Sequence, residues 1–137
     1  MIGHYHVAIL REPYLSLILN GKKTIESRFT KRRTAPFNKV SVNDLIYLKK
    51  SGGSILGTAS VQSVQFFSNL NPQDISQIMN QYKAELQIQP DFMELKRDSN
   101  YASLIWLKNV KRMQPIQFKK NNQLPWVLLE DRLGNQQ

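Results

Sequence analysis

Between Tyr14 and Phe29 the chain has to change from helix to strand within a few residues, and this switch constrains the fold more than any other stretch. Tyr14, Leu17 and Ile18, with Leu15 and Leu19 beside them, supply the broad apolar stripe of a short helix that packs on a core. Glu12-Pro13 opens that helix, with Pro13 tolerated in the first turn and Glu12 close to the positive end of the dipole. Asn20-Gly21 closes it, because glycine takes the positive φ that ends a helix without steric cost. The Thr24-Ile25 pair that follows favours an extended chain. On a strand side chains alternate, so Thr24, Glu26 and Arg28 share one face while Ile25, Ser27 and Phe29 take the other.

Lys23, at the mouth of the turn, can reach the face of Glu26 and Arg28. The outcome expected is a carboxylate held among cations at the rim of a sheet, a place suited to an anionic ligand. A solvated ion pair satisfies the same spacing, and such a pair contributes about 0–1 kcal/mol. Lys31, Arg32 and Arg33 follow at once and either form a solvated loop tip or extend a track for a phosphate backbone. Phe37 is the loop's one large apolar residue and is expected to anchor it.

The string Gly-x-Lys-x-x-Glu-x-Arg, here Gly21, Lys23, Glu26 and Arg28, directly after an amphipathic helix near the N-terminus, resembles the signature of the ASCH domain within the PUA-like superfamily. Thr24, Ser27, Ala35-Pro36 and the later Tyr101–Leu107 stretch followed by Lys108-Asn109 extend the resemblance to small bacterial members. It implies an α+β fold, a PUA-like small β-barrel with flanking helices, and a cleft for RNA or a nucleoside. Some ASCH proteins are similar to amidohydrolases that deacetylate an acetylated cytidine with a threonine, a lysine and a glutamate. Aligning Gly-x-Lys puts Lys23 on the family lysine, Glu26 on the position of the nucleophilic threonine, and Thr24 one residue after the lysine. Others are similar to ribonucleases.

Charge points the same way. The 137 residues carry a net charge of +9, and residues 1–50 hold ten Lys/Arg against three Asp/Glu, whereas residues 71–100 hold three against five. A basic half beside an acidic middle is the usual footprint of a phosphate-bearing partner, though solubility or an anionic membrane surface also uses it. One domain over residues 1–137 is expected at this length. There is no cysteine, which removes disulfides and thiolate metal sites. Neither a leader nor an apolar run of about 20 residues is evident, so a cytoplasmic protein without membrane partners is expected.

Tyr5 to Leu10 has the composition of an opening strand, with His4 and His6 on one of its faces. Zinc usually takes about three or four protein ligands, and nothing completes that set, so no metal and no cofactor is expected. Asp44 to Lys50 and Ser54 to Val64 read as strands joined by a glycine hairpin, with Gly57 marking a bulge. Asn71-Pro72 and Pro90-Asp91 start helices that carry no assigned chemistry. Tyr101 to Leu107 and Val110 to Phe118 read as two strands, Pro115 confining the second to an edge or a bulge. Leu124 to Leu129 is expected to pack back on the barrel with Trp126 as a wedge, and residues 135–137 to fray.

The reading that follows is an RNA- or nucleotide-binding domain with a basic ligand site of Lys23, Thr24, Glu26, Ser27, Arg28, Lys31, Arg32 and Arg33. The alternative is a hydrolase on RNA or a modified nucleoside, using Lys23 as base or electrostatic catalyst and Glu26 as its charge partner. Protein partners are not legible.

Overall fold

Alternation along the strands builds two faces on one sheet, and a computed structural model describes residues 4–119 and 123–133 of it. The elements run β1 (Tyr5–Leu10), α1 (Tyr14–Leu19), β2 (Ile25–Thr30), β3 (Leu45–Lys50), β4 (Ile55–Phe67), α2 (Pro72–Gln81), α3 (Lys83–Leu86), α4 (Pro90–Lys96), β5 (Tyr101–Ile116) and β6 (Trp126–Leu129). The strands form a six-stranded sheet in the order β2-β5-β4-β3-β1-β6. β1 and β3 are parallel, and the other neighbours are antiparallel. The sheet curls into a half-barrel that stays open between its edges β2 and β6. The fold is therefore α+β with flanking helices, and the small barrel expected from sequence is open on one side.

Inside the curl lie Ala8 and Leu10 of β1, Ile46 and Leu48 of β3, Ala59 and Val61 of β4, Ile105 and Leu107 of β5, Trp126, and Leu15 and Ile18 of α1. The period of two sends alternate residues outward to two further clusters. Ile25 and Phe29 of β2 with Ala102 and Leu104 of β5 bury α2 and α3 through Ile75, Ile78, Met79 and Leu86. Val7, Tyr47 and Ile55 gather Met113, Val127 and Leu133 on the other outer side. Burying such side chains stabilises by about 1.5–3 kcal/mol each.

Local signals work as read at several places. Gly21 takes φ 84° directly after α1. Glu12 accepts hydrogen bonds from the Ser16 backbone N–H at 2.9 Å and hydroxyl at 2.7 Å. Asn71 and Asp74 make a reciprocal capping box at the start of α2. Phe37 is buried against Phe66 and Tyr101 and anchors its loop. Trp126 is a core wedge, as expected, and β6 pairs with β1.

Two expectations are corrected. The stretches 101–107 and 110–118 form one 16-residue strand, β5, in which Asn109 takes φ 53° and the register against β4 shifts between Thr58 and Ser60. A bulge absorbs the extra residue inside the sheet, so the polar Lys108-Asn109 pair does not end the strand. β2 begins at Ile25. Pro115 falls beyond the part of β5 that β2 covers, where a missing N–H is tolerated. Residues 135–137 lie outside the described residues. Among the described residues no helix is long and apolar enough to cross a membrane.

Candidate functional site

The site grows from the open seam of the half-barrel. Lys23 leaves the α1 turn with its N–H donated to the Leu17 carbonyl at 2.9 Å, and its side chain turns inward until only 2% of the residue is exposed. There Nζ donates to the Leu86 carbonyl, lies 3.8 Å from Glu26 Oε1, and sits 5.3 Å over the Tyr14 ring. Burial pushes the Lys23 ammonium below its ordinary pKa; Glu26 opposes that shift and Arg28 adds to it.

Glu26 is 6% exposed, and its Oε2 accepts from Arg28 Nε at 2.9 Å with Nη2 also 2.9 Å away. The Arg28 fork continues across the seam. Nη2 donates to the Ile9 carbonyl at 3.0 Å and Nη1 to the Pro125 carbonyl at 3.2 Å, while the guanidinium lies 5.2 Å over Trp126. One side chain thus ties edge strand β2 to β1 and to the segment that enters β6. Charge-assisted and stacked contacts of this kind suit arginine's planar fork.

Trp126 is itself held from below. Its indole N–H donates to His6 Nδ1 at 3.1 Å, and His6 Nε2 donates to Asp44 Oδ2 at 2.8 Å. Since the indole is only a donor, Nδ1 must be the acceptor and Nε2 carries the proton. Burial lowers the His6 pKa, with Asp44 working against it. Burial works against the Asp44 charge, but hydrogen bonds from His6 and from the N–H groups of His4 and Ser41 outweigh it and hold the carboxyl below its ordinary value. The described residues contain no group of three or more His, Asp or Glu placed to hold a metal ion.

Above this scaffold the seam opens into a cleft of about 410 Å³. Among the described residues Arg11, Lys23, Arg28 and Lys96 line it with a single carboxylate, Glu26, and Tyr14, Phe29, Ile88, Phe92, Leu95 and Leu124 give it apolar walls. Tyr14 and Phe92 meet edge to face at 5.6 Å, and Lys96 Nζ lies 5.7 Å over Phe92. Burial pushes the Lys96 pKa down, and the positive charges of Arg28 and then Arg11 push it further.

The ASCH domain family model matches residues 9–117, most of the chain and all of the described cleft lining except the 123–125 segment. The chain belongs to the ASCH domain family. Crystal structures of the ASCH protein from Zymomonas mobilis and of two of its point mutants share the fold. The unmutated protein matches with a TM-score of 0.69 at 18% identity over 91% of this chain and 87% of that one. One mutant matches with a TM-score of 0.70 at 18% identity over the same shares. The other gives 0.68 at 18% identity, over 91% and 89%. None of the curated proteins matches the chain.

Within this ASCH domain the residues singled out from sequence separate into three groups. Lys23, Glu26 and Arg28 come together as one buried cluster, and Ser27, 6% exposed, lines the cleft beside them. Thr24 is exposed outside the cleft; its backbone is occupied by the Glu85 carbonyl and the Leu107 N–H. Lys31, Arg32 and Arg33 are exposed on the following loop and do not line the cleft, and Arg33 lies 5.3 Å over Phe37.

Sequence reasoning missed Arg11 and the contribution of α4, and it ranked a ligand-facing Tyr14 behind core or rim packing. Arg11 carried a local signal, since it is a lone cation directly at the end of a strand. Phe92 and Lys96 carried none, because α4 comes to the seam only through the packing of the helical layer on β2 and β5.

Proposed function

We propose that this ASCH domain binds RNA or a nucleotide in the seam cleft. Family membership supports a domain of the PUA-like, RNA-binding kind in general terms. The observation that carries the reading is the charge of the cleft, among the described residues four cationic side chains against one carboxylate, next to aromatic and aliphatic walls. Phosphate oxygens match the first feature and a base face matches the second. The loop cations Lys31, Arg32 and Arg33 stand just outside the cleft and extend the positive field along a bound strand.

Salt titration of a single-stranded RNA oligonucleotide tests this. The logarithm of the association constant should fall linearly with the logarithm of salt, with a slope of about −0.7 per phosphate neutralised. Charge reversal at Lys31 and Arg32 should make the slope shallower and leave the melting temperature unchanged. Binding that ignores salt between low and physiological ionic strength overturns the reading.

A second, catalytic reading rests on Lys23, because burial and Arg28 lower its pKa, which is the direction a general base requires. Two observations weigh against it: Nζ is already donated to Leu86, and only 2% of the residue is exposed. Thr24 outside the cleft is likewise poorly placed as a nucleophile. Incubation with acetylated cytidine should therefore yield no product, and a robust Lys23-dependent turnover would reinstate catalysis.

A further inference from the structure

The cleft's charged groups divide by what is already spoken for. Glu26 and Arg28 are paired, Arg28 also donates to the Ile9 and Pro125 carbonyls and keeps one Nη1 N–H, and Lys23 donates one of its N–H groups to Leu86. That cluster is the floor that holds the seam together. Arg11 and Lys96 differ: among the described residues neither side chain has a carboxylate or hydrogen-bond partner, Lys96 having only the Phe92 ring. The depressed pKa of Lys96, with Arg28 and Arg11 as its electrostatic causes after burial, agrees with cations gathered in one place. Ser27 is the third such group: the residue is 6% exposed and lines the cleft, and its hydroxyl, which makes no hydrogen bond among the described residues, still reaches solvent and is open to a ligand.

We propose that Arg11, Lys96 and Ser27 form the phosphate subsite of this cleft, and that its preferred ligand is a nucleotide ending in a phosphomonoester. The inference rests on the nucleotide-binding reading above. Two uncompensated cations match a dianion. A phosphomonoester carries about −1.5 to −2 at neutral pH, whereas each internal phosphodiester of a strand carries a single charge. The apolar wall gives the rest of the ligand its place: Leu95, 72% exposed, and Leu124, 54% exposed, stand at the cleft with Phe92 and Ile88, and a base covering them removes apolar surface from water. Lys23 and Arg28 thus hold the floor of the cleft and add to its positive field, while Arg11 and Lys96, both outside the motif, meet the anion together with Ser27.

The test compares one short single-stranded RNA sequence with a 5′-phosphate, with a 3′-phosphate, and with hydroxyls at both ends, by titration calorimetry against the full chain. A phosphorylated end should tighten binding about tenfold or more, the change carried by one charge-assisted hydrogen bond. Arg11→Ala and Lys96→Ala should each reduce that gain and together abolish it; Ser27→Ala should reduce it. Lys31→Ala should weaken all three oligonucleotides alike and leave the gain intact. Thermal melts establish that the variants are folded, and because Arg11 lies at the surface its variant reports even if Ser27→Ala disturbs packing. Equal affinity for the three ends, or a gain that survives loss of both Arg11 and Lys96, overturns the subsite while RNA binding itself stands. Absence of binding by all three oligonucleotides overturns the nucleotide-binding reading and the subsite with it.

Discussion

Glu26 illustrates how far burial changes the meaning of a charge. On an exposed strand, a Glu and an Arg two residues apart contribute about 0–1 kcal/mol. Here the Glu26 side chain is 8% exposed and the Arg28 side chain 14%, and Lys23 approaches from the other oxygen. Removing one member of such a group leaves cations uncompensated in a poorly solvated place. Glu26→Gln should therefore lower unfolding stability by about 3 kcal/mol, measured by denaturant titration. A loss below about 1 kcal/mol would place the cluster with ordinary surface pairs. The spacing of Lys23, Glu26 and Arg28 was legible in the sequence, but their burial was not. It depends on Leu86, Ile9 and Pro125, which arrive from three distant parts of the chain.

At the scale of elements, the short helix, its glycine stop, the opening strand and the β3–β4 hairpin were all legible, because each is specified by residues within a few positions of one another. The continuity of β5 was not, since a bulge at Asn109 costs little once β4 supplies 13 residues of partner. Gly57 shows the same dependence from the other side. A Cβ there would come within 2.6 Å of the Lys111 carbonyl and 2.7 Å of Leu19 Cδ2, so α1 and β5 both close on that point of β4. The register shift between Ile55 and Gly57 agrees with the bulge read from sequence. Gly57→Ala should destabilise by about 1–3 kcal/mol in a chemical melt, through backbone shift and not through any positive φ. Stability within experimental error of the parent would mean that α1 can move away freely.

For the molecule as a whole, the relay Asp44–His6–Trp126 joins the start of β3, the first strand and the last one. The folded pKa of His6 lies below its ordinary value of 6.5, so the folded state binds fewer protons than the unfolded one as pH drops through that region. The stability concerned is fully present above about pH 6.5 and is lost as pH falls toward the folded value. Asp44, also lowered, contributes stability above its ordinary value of 3.8 that is lost on further acidification. The melting temperature should fall between about pH 7.5 and about pH 5, and His6→Gln should flatten that fall. An unchanged slope in the variant would show that His6 takes up protons equally in the folded and unfolded states. Protonation of Nδ1 would also cost the Trp126 hydrogen bond, and with it the platform beneath Arg28.

By itself the sequence determined the local alphabet of this ASCH domain: strand period, helix caps, glycine turns, and a basic half with the Gly21-Lys23-Glu26-Arg28 string inside it. These follow from short-range sterics and alternation, which act between near neighbours in the chain. Only the tertiary structure decided that β2 and β6 face one another across an open seam, that Arg28 spans it, and that Arg11 and Lys96 share its cleft. Those facts depend on how a curled sheet brings its edges together and on which helix packs against them. The energy that decides such packing is summed over three apolar clusters drawn from the whole chain, and no single stretch of residues carries it.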